Sequence, residues 1–407
     1  MRSKLLIILL TLSITGFSQT LEEGFYHPPA AAKPWVFWYW MQGAVSKEGI
    51  RADLEAMRSA GIGGAYLMPI KGVKNPPLTD TPVEQLSPAW WEMVRYAMQE
   101  ADRSGVKLAM HVCDGFAVAG GPWITPEMSM QKVTSSKVFA EGKVDMQLPM
   151  PPMHEGYYRD VAVYALPVSP GWEQSTRTVA PKVTSEGATI KEGSIRCDGP
   201  CWVQYAFGQP FTCRTIIISA TNNYQAQRLL IQASDDGEHF RQLGRLEPPR
   251  HGWEDNDADV THTIPAVTAR YFRFVYDKRG SEPGAEDLDA AKWKPSLKVG
   301  SIGLSAMPSV DQYEGKAGEV WRISRWSGKH QLPDSICIAR GRVMDISHYM
   351  DTSGRLTWTA PPGRWMVLRV GHTSTGHRNV TGGGGAGLEC DKLNPAVAAL
   401  QFDKWFG

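Results

Sequence analysis

Near the carboxyl end of this 407-residue chain, Glu389, Asp391 and Lys392 form the densest charged group in a loop that follows an apolar run. Two carboxylates one residue apart suit an oxygen-ligated cation or direct hydrogen bonds to hydroxyl groups. The same residues also suit a solvated helix start with Asp391 near its N-cap. Glu389 is in addition the reserve candidate for a catalytic carboxylate, and Lys392 for a substrate contact. His111 and Asp114 stand at the end of another apolar run, where both can bind a polar ligand; the competing account is a histidine satisfied by a neighbour and an aspartate capping the next turn. Trp38 and Trp40 offer flat rings for stacking, although aromatic residues on a buried strand more often belong to a core. No Gly-x-Ser-x-Gly elbow supports a serine nucleophile. The glycine run Gly382 to Gly385 lacks the Gly-Lys-Ser/Thr ending of a phosphate loop. It suits a flexible segment that crosses the mouth of a site and carries Glu389 and Asp391 toward it.

The elements that must position these residues are legible in part. Trp35 to Trp40 is an unbroken apolar run, as expected of a strand buried on both faces. Ser46 offers an N-cap, Glu48 meets the helix dipole, and Ile50, Leu54 and Met57 give one apolar face to a helix over Lys47 to Ala60, which Gly61 stops. Gly63 to Ile70 reads as the next strand. Ser87 and Pro88 open a second helix with Trp90, Val94, Ala97 and Ala101 on one face and Gly105 at its end, and Val106 to Val112 is a third strand. Strand, helix, strand, helix, strand with short connections predicts parallel pairing, hence an α/β sheet or a (β/α)8 barrel with its site at the strand carboxyl ends. Trp365 to Val370 reads as a fourth barrel strand, and Asn394-Pro395 opens a terminal helix.

Between these pieces the helical periodicity disappears. Val161 to Leu166, Cys201 to Phe207, Thr215 to Ser219, Leu229 to Ser234 and Tyr271 to Tyr276 are short strands separated by turn signals, the pattern of a sandwich. WVQYAFGQPFTCRTIIIS, LLIQASDDGEHFRQLGRL and ARYFRFVYD, in that order, resemble the galactose-binding-like jelly roll of carbohydrate-binding and discoidin-type modules over about residues 184–306. Trp253, His251 and Asp255 in a polar loop offer a stacking platform for a sugar, while the same domain often serves as a spacer. The fold class expected is α/β plus all-β: a partial (β/α)8 barrel (residues 19–140), an inserted β-rich region (141–310), and a β-rich connector with the continuation of the barrel (311–407).

Composition narrows the classes. With 42% hydrophobic and 21% charged residues the chain is ordinary globular protein, and a net charge of +1 gives no electrostatic case for nucleic acid or an acidic membrane as partner. Arg2 and Lys4 before the apolar run Leu5 to Leu12, with Gly16 and Ser18 ahead of Gln19, describe a secretory signal peptide over residues 1–18. The run is shorter than the roughly 20 residues that span a bilayer, so a periplasmic or secreted protein is expected, free of the membrane after cleavage. Among the six cysteines, Cys197 and Cys201 are close enough for a small disulfide loop, and the spacing lacks the fourth ligand of a structural zinc site.

Four long phrases then carry a resemblance: PWVFWYWMQGAVSKEGIRADLEAMRSAGIGGA, HVCDGFAVAGGPWITPEMSMQKV, LTWTAPPGRWMVLRVGHTSTG and GLECDKLNPAV. In that order they resemble the amino-terminal part of the bacterial α-L-rhamnosidases of glycoside hydrolase family 106, with the jelly roll inserted in the barrel. The resemblance implies release of terminal α-L-rhamnose from a rhamnose-containing glycan with inversion, assisted by calcium in the sugar site. Inverting hydrolysis needs two carboxyl groups about 6.5–9.5 Å apart, and both are expected beyond Gly407, on the remaining barrel strands. A half barrel should expose strand edges and apolar faces and aggregate. The alternative function is a non-catalytic secreted carbohydrate-binding protein.

Overall fold

The computed structural model describes residues 21–111, 118–219, 227–248, 259–277, 296–317, 332–379 and 383–406. Asp114, His251, Trp253, Asp255 and the expected leader lie outside the described residues. Two compact units are formed: residues 1–134, 153–159 and 372–407 make the first, residues 135–152 and 160–371 the second.

In the first unit, β1 (Trp35–Met41) pairs in parallel with β2 (Gly64–Ile70), in register from Trp35 opposite Gly64 to Met41 opposite Ile70. β2 pairs in parallel with β3 (Lys107–Met110). The helices joining them are α1 (Lys47–Ser59) and α2 (Pro88–Ser104). Both are capped as the residue types demand. The Ser46 hydroxyl accepts from Gly49 N–H at 3.1 Å and that of Ser87 from Trp90 N–H at 3.2 Å. Gly105 closes α2 at φ 69°, a conformation a side chain would disfavour. Ile50 and Leu54 of α1 and Trp90, Val94, Ala97 and Ala101 of α2 are buried, packing on Trp38, Trp40, Ala65 and Leu67 of the sheet. Each of the larger side chains among them contributes about 1.5–3 kcal/mol of burial. The terminal helix α3 (Pro395–Phe406) adds Trp405 to this core, its ring 6.3 Å from that of Trp90.

On the side of the β1–β3 sheet away from the helices, Met68 and Ile70 of β2 are buried, but the face along β1 is left open among the described residues. Side chains alternate across a strand, so Trp38 and Trp40 face the helices while Phe37 (59% exposed) and Tyr39 (45%) point the other way, beside Tyr66 (38%) of β2. A parallel sheet is ordinarily covered on both faces.

The strand expected to be the fourth of the barrel belongs elsewhere. Trp365–Ser374 lies in a four-stranded sheet in the order Met344–Asp345, Arg159–Pro167, Trp365–Ser374, Gln131–Ala140. Its burial alternates, with Trp365, Val367 and Arg369 inside, and Arg369 forms a two-point ion pair with Asp160 at 2.7 and 2.8 Å. An apolar run with a buried arginine at every-second-residue spacing is a sandwich strand. The described chain therefore shows three parallel strands of α/β type and is otherwise mostly sheet, and a closed (β/α)8 barrel is not formed.

The second unit contains the jelly-roll region. Its main sheet is built from β4 (Lys182–Glu186), β5 (Cys201–Ser219), β6 (Leu230–Ser234), β7 (Arg241–Arg245), β8 (Val260–Tyr276) and β9 (Ser301–Ser305). The order is β7-β6-β8-β5-β9, with β4 also paired to β5. A smaller sheet joins Leu297–Val299, Ser194–Cys197 and Thr189–Lys191. Inward residues of β5 and β8 fill the core, with the rings of Phe207 and Phe211 stacked at 4.4 Å and Phe272 edge-on to both. The Ser234-Asp235-Asp236-Gly237 turn is held by Asp236, whose Oδ1 accepts from the N–H groups of Glu238 and His239, each at 2.8 Å. These backbone donors hold its carboxyl well below the usual range. Cys197 and Cys201 are joined as a disulfide.

Candidate functional site

In the first unit, the carboxyl ends of the parallel strands carry backbone of unusual conformation. Gln42, directly after β1, has φ 53°, and Lys71, directly after β2, has φ 58°. Left-handed geometry at residues that are neither glycine nor asparagine is uncommon and concentrates at functional sites. Gln42 is fixed there by its N–H, which donates to the Ile70 carbonyl at 2.8 Å. His111 follows β3, and its ring stands edge-on to Tyr66 at 6.0 Å. The residues gathered at this end of the sheet and on its open face are thus Gln42, Lys71, His111, Phe37, Tyr39 and Tyr66. Only His111 is evident from spacing alone. The open face could have been read from the alternation along Trp35–Met41, had one side been assigned to the helices; the strained pair carries no sequence signal beyond Gly43 and Gly72, the glycines that follow.

Trp38 and Trp40, expected as a stacking floor, are instead core residues, each 5% exposed. Trp38 Nε1 donates to Asp53 at 2.8 Å, and the Trp40 ring packs 6.3 Å from Trp90. The helix side of the sheet buries these rings because it has partners for them, whereas Trp35, on the other side, is 40% exposed.

The glycine loop reaches the end of β2. A Cβ on Gly72 would stand 3.0 Å from Gly383 Cα, and one on Gly384 would stand 2.6 Å from the Gln85 carbonyl oxygen. Such approach between backbones is open only to glycine. Asn379, fully buried, organises the loop: Nδ2 donates to the carbonyls of Gly120 (3.1 Å) and Gly385 (2.9 Å), and Oδ1 accepts from Gly387 N–H at 2.6 Å. The two-residue strand Leu388–Glu389 then pairs antiparallel with Gly120–Gly121.

Glu389 is 6% exposed and holds a lysine and a histidine side chain. Lys392 Nζ binds Oε1, and His377 Nδ1 lies 3.5 Å from Oε2. Burial raises the pKa of this carboxyl, but the hydrogen bonds and charges of His377 and Lys392 outweigh it and hold the group below its ordinary value. A carboxylate kept ionised is poorly suited to act as a general acid. Asp391 does not join it as a second ligand. Its Oδ1 accepts from Leu393 N–H at 3.0 Å in the turn before α3, whose first turn is capped by Asn394 Oδ1 accepting from Ala396 N–H at 3.1 Å. With both Glu389 oxygens engaged by nitrogen groups of Lys392 and His377, this pair does not fit the oxygen cage a calcium ion requires. Among the described residues, no group of three or more His, Cys, Asp and Glu side chains is arranged to hold a metal ion. Lys392, half exposed, presents its stem to solvent while its charge is committed to Glu389.

Comparison with known proteins agrees with this architecture. The rhamnosidase of Novosphingobium sp. PP1Y is similar in structure, with a TM-score of 0.72 and 25% identity, covering 95% of this chain and 38% of that one. A Formosa agariphila protein named as a candidate beta-glucuronidase is 38% identical over 173 residues, 40% of this chain and 14% of its own length. The chain thus spans well under half the length of these two relatives. The profile of glycoside hydrolase family 106, alpha-L-rhamnosidase, matches residues 26–407. The chain belongs to the alpha-L-rhamnosidase family, glycoside hydrolase family 106.

Proposed function

We propose that this chain is the amino-terminal part of an exported glycosidase that releases terminal α-L-rhamnose from complex polysaccharide with inversion, and that β1–β3 form one wall of its sugar site. The observation that carries this reading is the open aromatic face of the sheet, Phe37, Tyr39 and Tyr66, ending at the left-handed residues Gln42 and Lys71. In a (β/α)8 enzyme that face is turned inward and the strand carboxyl ends surround the substrate. The rings of Phe37 and Tyr39, stacked 6.2 Å apart, offer an apolar surface to the C–H face and methyl group of a deoxysugar. In this reading His111, which follows β3, binds a hydroxyl at the rim.

Inverting hydrolysis needs an acid to protonate the leaving oxygen and a base to activate water. Glu389, held ionised by His377 and Lys392, is poorly suited as the acid, and with both oxygens engaged by those groups neither is left to activate water as the base, so we assign the pair to parts of the whole protein outside this chain. Glu389 instead orients His377 and Lys392. A binding protein without turnover is the alternative, and the committed state of Glu389 is the observation in its favour.

The test is turnover by the full-length protein that contains this chain, on p-nitrophenyl α-L-rhamnoside and on the matching β-glucuronide. Release of rhamnose, with the β-anomer formed first by NMR, supports the reading. Cleavage of the glucuronide alone, or retention of anomeric configuration, overturns it, and binding of rhamnose without release of either sugar favours the alternative.

A further inference from the structure

The solvent side of the jelly-roll sheet carries a row of polar side chains that the hydrolase reading does not use. Thr184 of β4, Gln204 of β5, Arg273 of β8 and Gln232 of β6 are directly paired, strand to strand. Paired residues share a face. All four are half-buried, whereas their neighbours Val203, Tyr205, Phe272, Phe274, Ile231 and Ala233 fill the core behind. With strands about 4.8 Å apart the row is about 14 Å long.

Arg273 is the centre of this row and is unusually held. Its Nε and Nη2 donate to Gln204 Oε1 at 3.0 and 2.7 Å. Its guanidinium carbon lies 3.7 Å from the centre of the Phe240 ring and 4.4 Å from that of Trp202. Among the described residues the only acceptor it meets is thus a neutral amide. Among the described residues it makes no ion pair, and Nη1 has no acceptor. Glu186, the carboxylate on the adjoining row, is taken by Trp202 Nε1 at 3.1 Å. Burial pulls the guanidinium below its ordinary pKa, and Glu186 offsets this only in part. A partly desolvated, rigid cation with no ion-pair partner among the described residues and a free donor edge is an unfinished anion site. The fork of a guanidinium matches a carboxylate at two points. Amides and a hydroxyl in line on either side match sugar hydroxyls.

We propose that this row is a docking ledge for a carboxylate-bearing oligosaccharide, whose uronate carboxylate takes the free edge of Arg273 while neighbouring hydroxyls meet Gln204, Gln232 and Thr184. The ledge lies on the second unit, and the proposal does not rest on the rhamnosidase reading. It would direct an attached enzyme to acidic polysaccharide.

The experiment is calorimetric titration of the full chain with trimers of galacturonate, glucuronate and mannuronate, and with the same trimers after reduction of their carboxyls. At least one uronate trimer binds, and its reduced form binds about tenfold more weakly or less, as loss of a charge-assisted hydrogen bond implies. Arg273→Gln lowers uronate affinity by a similar factor. Because that change removes packing from Trp202 and Phe240, Gln232→Ala serves as a second variant: its half-buried amide has no partner among the described residues, so it leaves the fold intact and lowers affinity about threefold. No uronate binding at millimolar ligand, equal affinity for a reduced trimer, or unchanged affinity in both variants overturns the proposal.

Discussion

His377 Nδ1 lies 3.5 Å from Oε2 of Glu389, so a buried carboxylate anchors an imidazole that is itself 56% exposed. Lys392 occupies the other oxygen. The folded-state pKa of Glu389 is below its ordinary value of 4.5. Stability from this group is therefore fully present above about pH 4.5 and is lost as pH falls through the lower folded value. Glu389→Gln should cost about 1–3 kcal/mol at neutral pH. It should also flatten the acid limb of the stability curve. Urea denaturation from pH 3 to 7 checks this; an unchanged acid limb in the variant contradicts it.

Asn379 binds three backbone groups of the glycine loop and of Gly120. Asn379→Ala leaves them buried without partners and should destabilise the first unit by about 3 kcal/mol or more. Asn379→Asp keeps the bond to Gly387 N–H and opposes two carbonyls with a carboxylate, so it should be no better tolerated. Thermal melting of the three proteins side by side distinguishes these outcomes.

A side chain at Gly384 would meet the Gln85 carbonyl at 2.6 Å. Gly384→Ala must push the glycine loop away from the Gln85 carbonyl, at about 1–3 kcal/mol. Hydrogen exchange should show faster exchange at Gly387 N–H, which Asn379 protects. Protection equal to that of the parent would show that the loop makes room without moving.

Phe37→Ala removes an exposed ring, so the fold should be little affected, within about 0.5 kcal/mol. In the full-length enzyme the same change should raise KM for a rhamnoside about fivefold, as expected for loss of about 1 kcal/mol of stacking. Trp38→Ala should do the opposite, costing about 3–5 kcal/mol of stability because its ring is core.

The thiols should separate cleanly. Cys213 is fully buried and its pKa is pushed up to about 12 by burial, whereas Cys337 is exposed. Native protein treated with a thiol reagent at pH 8 should be labelled at Cys337 and not at Cys213, and both should react in denaturant. Peptide mapping of the labelled chain decides it; native labelling of Cys213 would mean that the sandwich core opens readily.

What the sequence determined by itself was local. Ser46, Gly105 and the helical spacing of Leu54 and Val94 specify their own capped helices, because those signals act over one or two turns. The Ser234-Asp235-Asp236-Gly237 turn and the alternation along β5 and β8 are equally local, and the disulfide between Cys197 and Cys201 closes over four residues. What only the tertiary structure decided was which face of an element has a partner. Trp38 and Phe37 are adjacent aromatic residues of one run, and burial of the first and exposure of the second follow from the side on which α1 and α2 lie. Trp365–Ser374 has the composition of a barrel strand, yet Arg369 finds Asp160 about two hundred residues away and draws the strand into a different sheet. Glu389 likewise has ligand chemistry in isolation; the Lys392 contact is local, but the return of His377 to its second oxygen makes it an anchor. Pairings across such separations depend on chain crossings that residue spacing does not encode, which is why the elements were legible and the partners were not.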